Sequence, residues 1–384
     1  MSQSSLHFTR GHGKQRGHYA NRFRTGVSLH SHTLHSKESL NFIYFASRKS
    51  ALLRAVLRRG ESRYRKVHGA ELDLNRGWWT PPLAPLDAYQ LEAAQITDMG
   101  LTPIVSLTDH DTIDAAMSLQ AVESSWNVPV SVEWTVPHGP TFFHIGVHNL
   151  LPHYANAMMR RLENFTANPD EVTLVELFDE IHANPQTLLV FNHPLWDEKG
   201  VGDRVHHMAA LDLLSRIVDY IHAFEINGLR PWSENRKVIR FAEELGKPLI
   251  SGGDRHAVEP NATINLTNAA NFAEFVEEIR ETGWSNLLIL PQYQQPHASR
   301  IFHNMLDVFR PYEDHGHGWV NWDDRVFFTL NDGRIDSLAG IWGDCPPAAV
   351  GIFAGLMRFA GQPRVRLALR SMAGPFSVDP DPSI

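Results

Sequence analysis

Cysteine is almost missing from this sequence, since Cys345 is the only one in 384 residues. A single thiol cannot form a disulfide within the chain, so the fold must be stabilised by packing, and nothing points to an oxidising compartment. Long apolar runs are missing too, because none approaches the roughly 18–20 residues that span a bilayer. The first residues lack the apolar segment of a secretory signal. These absences predict a cytoplasmic protein with no membrane partner.

Positive charge is also in short supply: 35 Lys and Arg stand against 43 Asp and Glu, for a net charge of −8. A negative surplus disfavours general binding to polyanions, so nucleic acid is expected only as a substrate. The length suits one large domain with an extension, or two domains. The composition leaves the oligomeric state open.

The N-terminal segment differs from the rest of the chain. Residues 1–24 contain basic residues, no acidic ones, and neither a helical nor a strand period. This pattern predicts a basic, flexible arm. An arm that binds polyanions is the alternative.

A regular alternation occupies residues 25–290, where short apolar, β-branched runs are followed by helix-like segments. Such alternation predicts a parallel α/β fold, and seven or eight such units favour a closed or partly closed barrel. Two regions fall outside it. Residues 59–85 are predicted to be an insertion, and residues 291–384 a C-terminal extension packed on the barrel.

Ionisable side chains stand at the end of nearly every predicted strand. They are His30, His32, Asp109, His110, Asp111, Glu133, His144, His193, Glu225, Asp254 and His256. The carboxyl ends of strands in such a barrel meet at one mouth, where functional groups collect. So many ionisable groups in one place would be costly without a counter-charge. Mixed imidazole and carboxylate ligands suit zinc, manganese or iron, so the series predicts a site for divalent metal ions.

Read together, these motifs resemble the polymerase and histidinol phosphatase (PHP) superfamily. The matching segments are Leu29-His30-Ser31-His32-Thr33, Thr108-Asp109-His110-Asp111, Glu133, His144, Asn192-His193-Pro194 and Gly252-Gly253-Asp254-Arg255-His256. Their order and rough spacing agree over residues 25–256, about 60% of the chain. The resemblance implies a distorted (β/α)7 TIM-like barrel of the PHP type. It also implies two or three divalent metal ions and the hydrolysis of phosphate esters.

The resemblance assigns roles to individual residues. The implied metal ligands are His30, His32, His110, Glu133, His144, His193, Asp254 and His256. Glu133 is the expected bridging carboxylate, and Glu225 and Asn227 are expected to orient ligands. In the implied mechanism, a metal-activated hydroxide attacks the phosphate of a small phosphorylated substrate. Arg255 is a candidate clamp for that phosphate, and His35, Asp109 and Asp111 are the candidates for protonating the leaving group.

The chain departs from the PHP pattern after the second histidine, where it reads Ser36-Lys37-Glu38. Glu38 is the candidate to take over as a ligand. Alternatively, Lys37 places a cation where a metal would lie, which would leave two metals and turn Lys37 toward the substrate. Two other functions stay open. One is an amidohydrolase-type metal hydrolase, which usually needs a carboxylated lysine, and the other is an inactive barrel that serves as a binding module.

Overall fold

The computed structural model describes residues 4–8, 19–40, 43, 47, 51–69, 71–122, 127–343 and 346–374. Cys345 lies outside the described residues. The strands are β1 Ser4–Phe8, β2 Thr25–Ser28, β3 Glu38–Ser39, β4 Gly77–Trp79, β5 Thr102–Val105, β6 Val130–His138, β7 Thr141–Leu150, β8 Leu188–Asn192, β9 Ala223–Asn227, β10 Leu249–Gly252, β11 Thr263–Thr267, β12 Ser285–Ile289, β13 Val326–Thr329 and β14 Ile335–Ser337.

Helices separate most of these strands. They are α1 Ala51–His68, α2 Pro85–Asp98, α3 Asp114–Gln120, α4 Pro152–Ala167, α5 Glu171–Ala183, α6 Asp203–Ile217, α7 Trp232–Glu244, α8 Phe272–Thr282, α9 His297–Phe309, α10 Leu338–Trp342, α11 Ala348–Ala360 and α12 Pro363–Ala373. Among the described helices, none combines the length and the apolar character that a bilayer crossing requires.

Local sequence explains several helix boundaries. The Asp170 side chain accepts a hydrogen bond from the Thr173 amide and so caps α5. The Asn271 side chain caps α8 in the same way through the Glu274 amide. Each cap satisfies an amide that has no partner within the helix. At its other end α8 stops at Gly283, whose φ of 60° suits a residue without a Cβ.

Two five-stranded sheets form the centre of the fold. Their strand orders are β1-β12-β11-β2-β5 and β10-β9-β8-β7-β6. Outside the sheet ladders they are joined by the parallel bridges Ser31–Arg255 and His110–Glu133. The described strands therefore form a mixed α/β structure with separate sheets, and the predicted closed (β/α)7 barrel is not confirmed.

Strand direction corrects the prediction of a parallel sheet. β7 runs antiparallel to both β6 and β8, and β11 runs antiparallel to both β2 and β12. Only Gly139 and Pro140 separate β6 from β7. A connection this short makes a hairpin, because a parallel crossover needs about a dozen residues or more.

Part of the predicted flexible arm is ordered. β1 pairs in parallel with β12 along its whole length, and Tyr19 and Phe23 are buried in the core. The prediction is wrong for these segments because Leu6 and Phe8 pack against the main core, which offsets the entropy of ordering the chain. Residues 9–18 of the arm lie outside the described residues.

The predicted insertion and the C-terminal extension meet in a third sheet, in the order β14-β13-β4-β3. β4 belongs to the insertion, β13 and β14 belong to the extension, and β3 begins at Glu38. Glu38 pairs with Trp79, and Trp79 pairs with Val326. The extension therefore packs on the rest of the fold, and together with the insertion it fixes the strand that carries Glu38.

Candidate metal centre

The predicted ligands converge beyond the carboxyl ends of the strands. Four groups of side chains have ligand atoms within 4.8 Å of one another: His32, Glu38, His110 and His256; His30, His32 and Glu133; His30, His193 and Glu225; His110, Glu133 and His144. Each group could hold a metal ion. They share members, so the described residues form one continuous centre of imidazoles and carboxylates.

Three of the predicted metal ligands have unusual backbone conformations. The φ angles of His30, His193 and Asp254 are 61°, 25° and 53°. Left-handed conformations cost non-glycine residues roughly 1–3 kcal/mol each and persist where the surroundings enforce them, often at functional sites. His30 lies beyond the end of β2, so its place next to His32 comes from this turn and not from strand alternation.

Glu133 lies at the middle of the centre, buried between the two sheets. Its Oε2 atom is 3.0 Å from His30 Nε2 and 3.3 Å from His32 Nε2. Its Oε1 atom is 3.1 Å from His193 Nε2 and 3.7 Å from His144 Nδ1. A carboxylate with different imidazoles on its two oxygens has the arrangement expected of a bridging ligand.

Glu38 organises the outer part of the centre. Its Oε2 atom is 3.0 Å from His256 Nε2 and 3.3 Å from His110 Nε2, and the Ser36 hydroxyl donates to its Oε1 atom at 2.5 Å. Lys37 is exposed, and its Nζ atom lies over the Trp78 ring, 5.3 Å from the centroid. Glu38, and not Lys37, therefore lies in a group of side chains that could hold a metal ion.

Glu225 lies in direct contact with predicted ligands, which is closer than its predicted orienting role required. Its Oε1 atom is 2.5 Å from His30 Nδ1, and its Oε2 atom accepts the His193 amide at 2.8 Å. A Cβ at Gly252 would lie 1.6 Å from Glu225 Oε1, so the neighbouring strand needs glycine there. The sequence feature that could have indicated this contact is the carboxylate within the otherwise largely apolar run Ala223–Asn227, because carboxylates are rarely buried without a partner.

Asp254 is oriented from two sides. Its Oδ1 atom is 3.4 Å from His256 Nδ1 and 3.5 Å from His32 Nε2. Its Oδ2 atom accepts hydrogen bonds from Asn227 Nδ2 at 3.2 Å and Arg230 Nη2 at 3.0 Å. Asn227 also donates to Glu225. The expected orienting role of Asn227 is thus visible in its contacts.

The protonation of the centre follows from burial and close charges. Burial raises the pKa of Glu133, but His30, His110 and His144 outweigh this and hold it well below its usual range. Burial lowers the pKa of His30, but Glu133 and Glu225 raise it well above its ordinary value. Burial lowers the pKa of His32 to about 3. Without ions, the carboxylates are thus balanced by protons on some of the imidazoles.

Three buried atoms lie close together at the middle of the centre, His30 Nε2, His32 Nε2 and Glu133 Oε2. Their orientations do not allow a hydrogen bond between them, and none of the three has another hydrogen-bond partner. Buried polar atoms are normally paired, because an unpaired one loses its hydration without compensation. Divalent ions would satisfy all three and replace the protons on the imidazoles. The donor set fits zinc, manganese or iron.

Arg255 does not face the site. Its guanidinium donates to Glu92 Oε1 at 2.8 Å, to the Ala257 carbonyl at 2.8 Å and to the His32 carbonyl at 3.1 Å. Arg255 and Glu92 are both buried. The prediction of a phosphate clamp at Arg255 is wrong because its donors are taken up behind the ligand loops.

The three candidate proton donors have different surroundings. Both carboxylate oxygens of Asp109 accept from Thr33, one from its amide and one from its hydroxyl. Burial raises the pKa of Asp109 to about 7. Its two oxygens are nevertheless engaged by Thr33, and these contacts hold the loop that follows His32. Asp111 is exposed and His35 is half-buried, so these two remain candidates to reach a substrate.

Arg230 is a cation at the rim that the sequence reading missed. Its Nη2 atom binds Asp254, its guanidinium carbon lies 3.9 Å from the centroid of the Trp196 ring, and its Nε atom has no partner. It lies three residues after the end of β9, so a search for basic residues shortly after each strand would have found it. A pocket lined by Trp196, Glu198 and Phe142 adjoins the ligands His144 and His193.

No family model matches the chain, and no curated protein matches it. Several solved structures show a weak likeness to part of the chain, among them the following three. An amidohydrolase from Chromobacterium violaceum, with bound sulfate and no metal, covers 46% of this chain and 84% of its own, at 16% identity and a TM-score of 0.30. PsfC from Pseudomonas syringae covers 71% and 93%, at 13% identity and a TM-score of 0.37.

The third structure is a candidate metal-dependent phosphoesterase from Bifidobacterium adolescentis. It covers 53% of this chain and 92% of its own, at 15% identity and a TM-score of 0.32. Likeness at this level does not place the chain in a family. The resemblance to the PHP superfamily stays a prediction, and the function has to be inferred from the site itself.

Proposed function

We propose that this protein is a metal-dependent hydrolase of phosphate esters that acts on a small phosphorylated substrate. The observation that carries the proposal is the convergence of His30 Nε2, His32 Nε2 and Glu133 Oε2, three buried ligand atoms without hydrogen-bond partners. The residues that would hold two or three ions are His30, His32, Glu38, His110, Glu133, His144, His193, Glu225, Asp254 and His256.

Phosphate esters are favoured over other substrates by the charge at the rim. When bound, divalent ions supply Lewis acidity and lower the pKa of a coordinated water toward about 7. The chain adds Arg230, whose guanidinium lies beside Asp254 at the rim and offers a positive charge to an anionic group. Asp254 and Trp196 hold the guanidinium in place, so little entropy is lost when it binds phosphate.

The leaving group needs a proton from the rim. We assign this to Asp111, which follows the ligand His110 and whose Oδ1 atom accepts from the Thr135 amide at 2.7 Å. That contact fixes the position of the side chain next to the centre. Asp109 is assigned to hold the loop through Thr33.

The test combines metal analysis with substrate panels. We expect two or three equivalents of zinc, manganese or iron in the purified protein, lost in His193→Ala and Asp254→Ala. We also expect the metal-loaded protein to release phosphate from monoesters or cleave diesters. Turnover of amides alone would support the amidohydrolase alternative. Less than half an equivalent of metal after incubation with each ion would favour the inactive binding module.

A further inference from the structure

A pocket next to the centre is lined by two chemically different sets of side chains. One set consists of the proposed ligands His144 and His193, and the other of Phe142, Trp196 and Glu198. A phosphate ester held at the ligands would place its organic group against the second set. These three residues therefore bear on which organic group the protein accepts.

Phe142 and Trp196 are fixed relative to the ligands by the backbone. Phe142 lies two residues before His144 on β7 and shares its face, with ring centroids 5.3 Å apart. The Trp196 amide donates to the His193 carbonyl at 2.9 Å. Both aromatic rings are thus tied to a neighbouring ligand, so their distance from a bound phosphate varies little.

Trp196 keeps 38% of its surface exposed and lines the same pocket as the proposed ligands His144 and His193. The Arg230 guanidinium at 3.9 Å holds the indole in place by a cation–π contact. An ordered, partly exposed indole beside a ligand centre offers a flat surface for stacking. Glu198 adds a half-buried carboxyl group to the lining of the same pocket, and this group can accept a hydrogen bond from the edge of a ring.

We infer that this pocket binds a planar aromatic or heteroaromatic group of the phosphorylated substrate, stacked on Trp196 and Phe142. The inference rests on the proposed function, because the phosphate must be held at the metal centre. A saturated ring of the same size fills similar space but cannot stack. The pocket should therefore distinguish flat rings from puckered ones.

The experiment is calorimetric titration of the manganese-loaded full-length protein with phenylphosphonate and with cyclohexylphosphonate, neither of which is hydrolysed. We expect phenylphosphonate to bind about tenfold more tightly. In Trp196→Ala this preference should fall to about twofold or less, and Trp196→Phe should restore part of it. Trp284→Ala is the matched control, because Trp284 is also exposed, at 42%, and lies in the connection from α8 to β12.

The outcomes separate this inference from the proposed function. Equal binding of the two phosphonates, or a preference that persists in Trp196→Ala, would overturn the aromatic pocket while leaving the phosphoesterase intact. Failure of both phosphonates to bind a protein that holds its metals would overturn the proposed recognition of phosphate, and the pocket inference with it.

Discussion

Arg255 and Glu92 form a buried ion pair directly behind the metal centre, with Nε and Oε1 2.8 Å apart. Arg255 stands between the ligands Asp254 and His256, and its guanidinium also binds the His32 carbonyl. Glu92 accepts further hydrogen bonds from Ser28 and from the Asn261 amide. The pair therefore ties α2 to the two loops that carry four of the ligands.

The first prediction concerns this pair. Arg255→Met leaves the Glu92 carboxylate buried without its cation, and breaking such a pair costs about 3–5 kcal/mol. We expect the free energy of unfolding, measured by urea titration, to fall by that amount. The double variant Glu92→Gln/Arg255→Met should recover at least half of the loss. A single variant that loses less than about 1 kcal/mol would show that the pair contributes little.

The second prediction concerns metal content. Glu38→Gln removes the carboxylate shared by His110 and His256 but leaves the groups around Glu133 and Glu225 intact. We expect elemental analysis to show one metal equivalent fewer than in the unmodified protein, with the rest retained. Glu163→Gln on the exposed side of α4 is the control. Unchanged metal content in Glu38→Gln would remove Glu38 from the set of ligands.

The third prediction uses the glycine next to Glu225. A Cβ at Gly252 would overlap Glu225 Oε1, so Gly252→Ala should displace the carboxylate from His30. Loss of a group that orients ligands typically lowers metal affinity 10–100-fold, and competition with a chelator would measure this.

Gly355→Ala is the control for that experiment, because nothing lies within 4 Å of the added Cβ there. Glu225→Gln preserves the shape of the side chain and should show the same loss of affinity if Gly252→Ala folds poorly. Unchanged affinity in both variants would contradict a role for Glu225 in the centre.

The fourth prediction concerns stability at acid pH, and its sign follows from two buried histidines. Burial lowers the pKa of His148 to about 3 and, helped by Arg280, that of His222 to about 2. The unfolded chain, with histidine pKa values near 6.5, then binds more protons than the folded protein below that pH. The stability that these two histidines contribute is therefore fully present above about pH 6.5 and is lost as the pH falls toward their folded-state pKa values.

Urea titrations of the metal-free protein between pH 7.5 and pH 4.5 would measure this loss. Each histidine should contribute a slope of about 1.4 kcal/mol per pH unit below its unfolded pKa. His148→Gln should reduce the slope, whereas the exposed His153→Gln should leave it unchanged. An identical slope in His148→Gln would show that this group does not titrate differently on unfolding.

Much of the centre could be predicted from the sequence, because its residue types declare their chemistry. Imidazoles and carboxylates that end several apolar strands in succession favour a shared functional site, and their mixture favours ion binding. The position of Glu38 among the other ligands agrees with its prediction as a replacement ligand. Glu225 was expected to orient ligands, and its direct approach to His30 emerged only when the chain was folded.

Strand direction and side-chain direction were beyond the sequence reading. The connection between β6 and β7 is short, as in a hairpin. The alternation of strand-like and helix-like segments along the whole chain nevertheless favoured the prediction of a parallel sheet. Arg255 was expected to face the phosphate of the substrate. In the structure it binds Glu92 instead, and the sequence did not reveal this pair because the two residues are far apart in the chain. Arg230 reaches the rim only because the turn after β9 brings it to Asp254 and Trp196.

The sequence by itself determined which groups could bind metal ions and where along the chain they follow a strand, because residue chemistry and short-range pattern are local properties. Only the tertiary structure decided which of them meet, which atoms are left without partners, and which charged residues serve packing instead. Those outcomes depend on contacts between residues far apart in the chain. His30, His193 and Asp254 show this most directly, since their left-handed turns are enforced by neighbours from other strands.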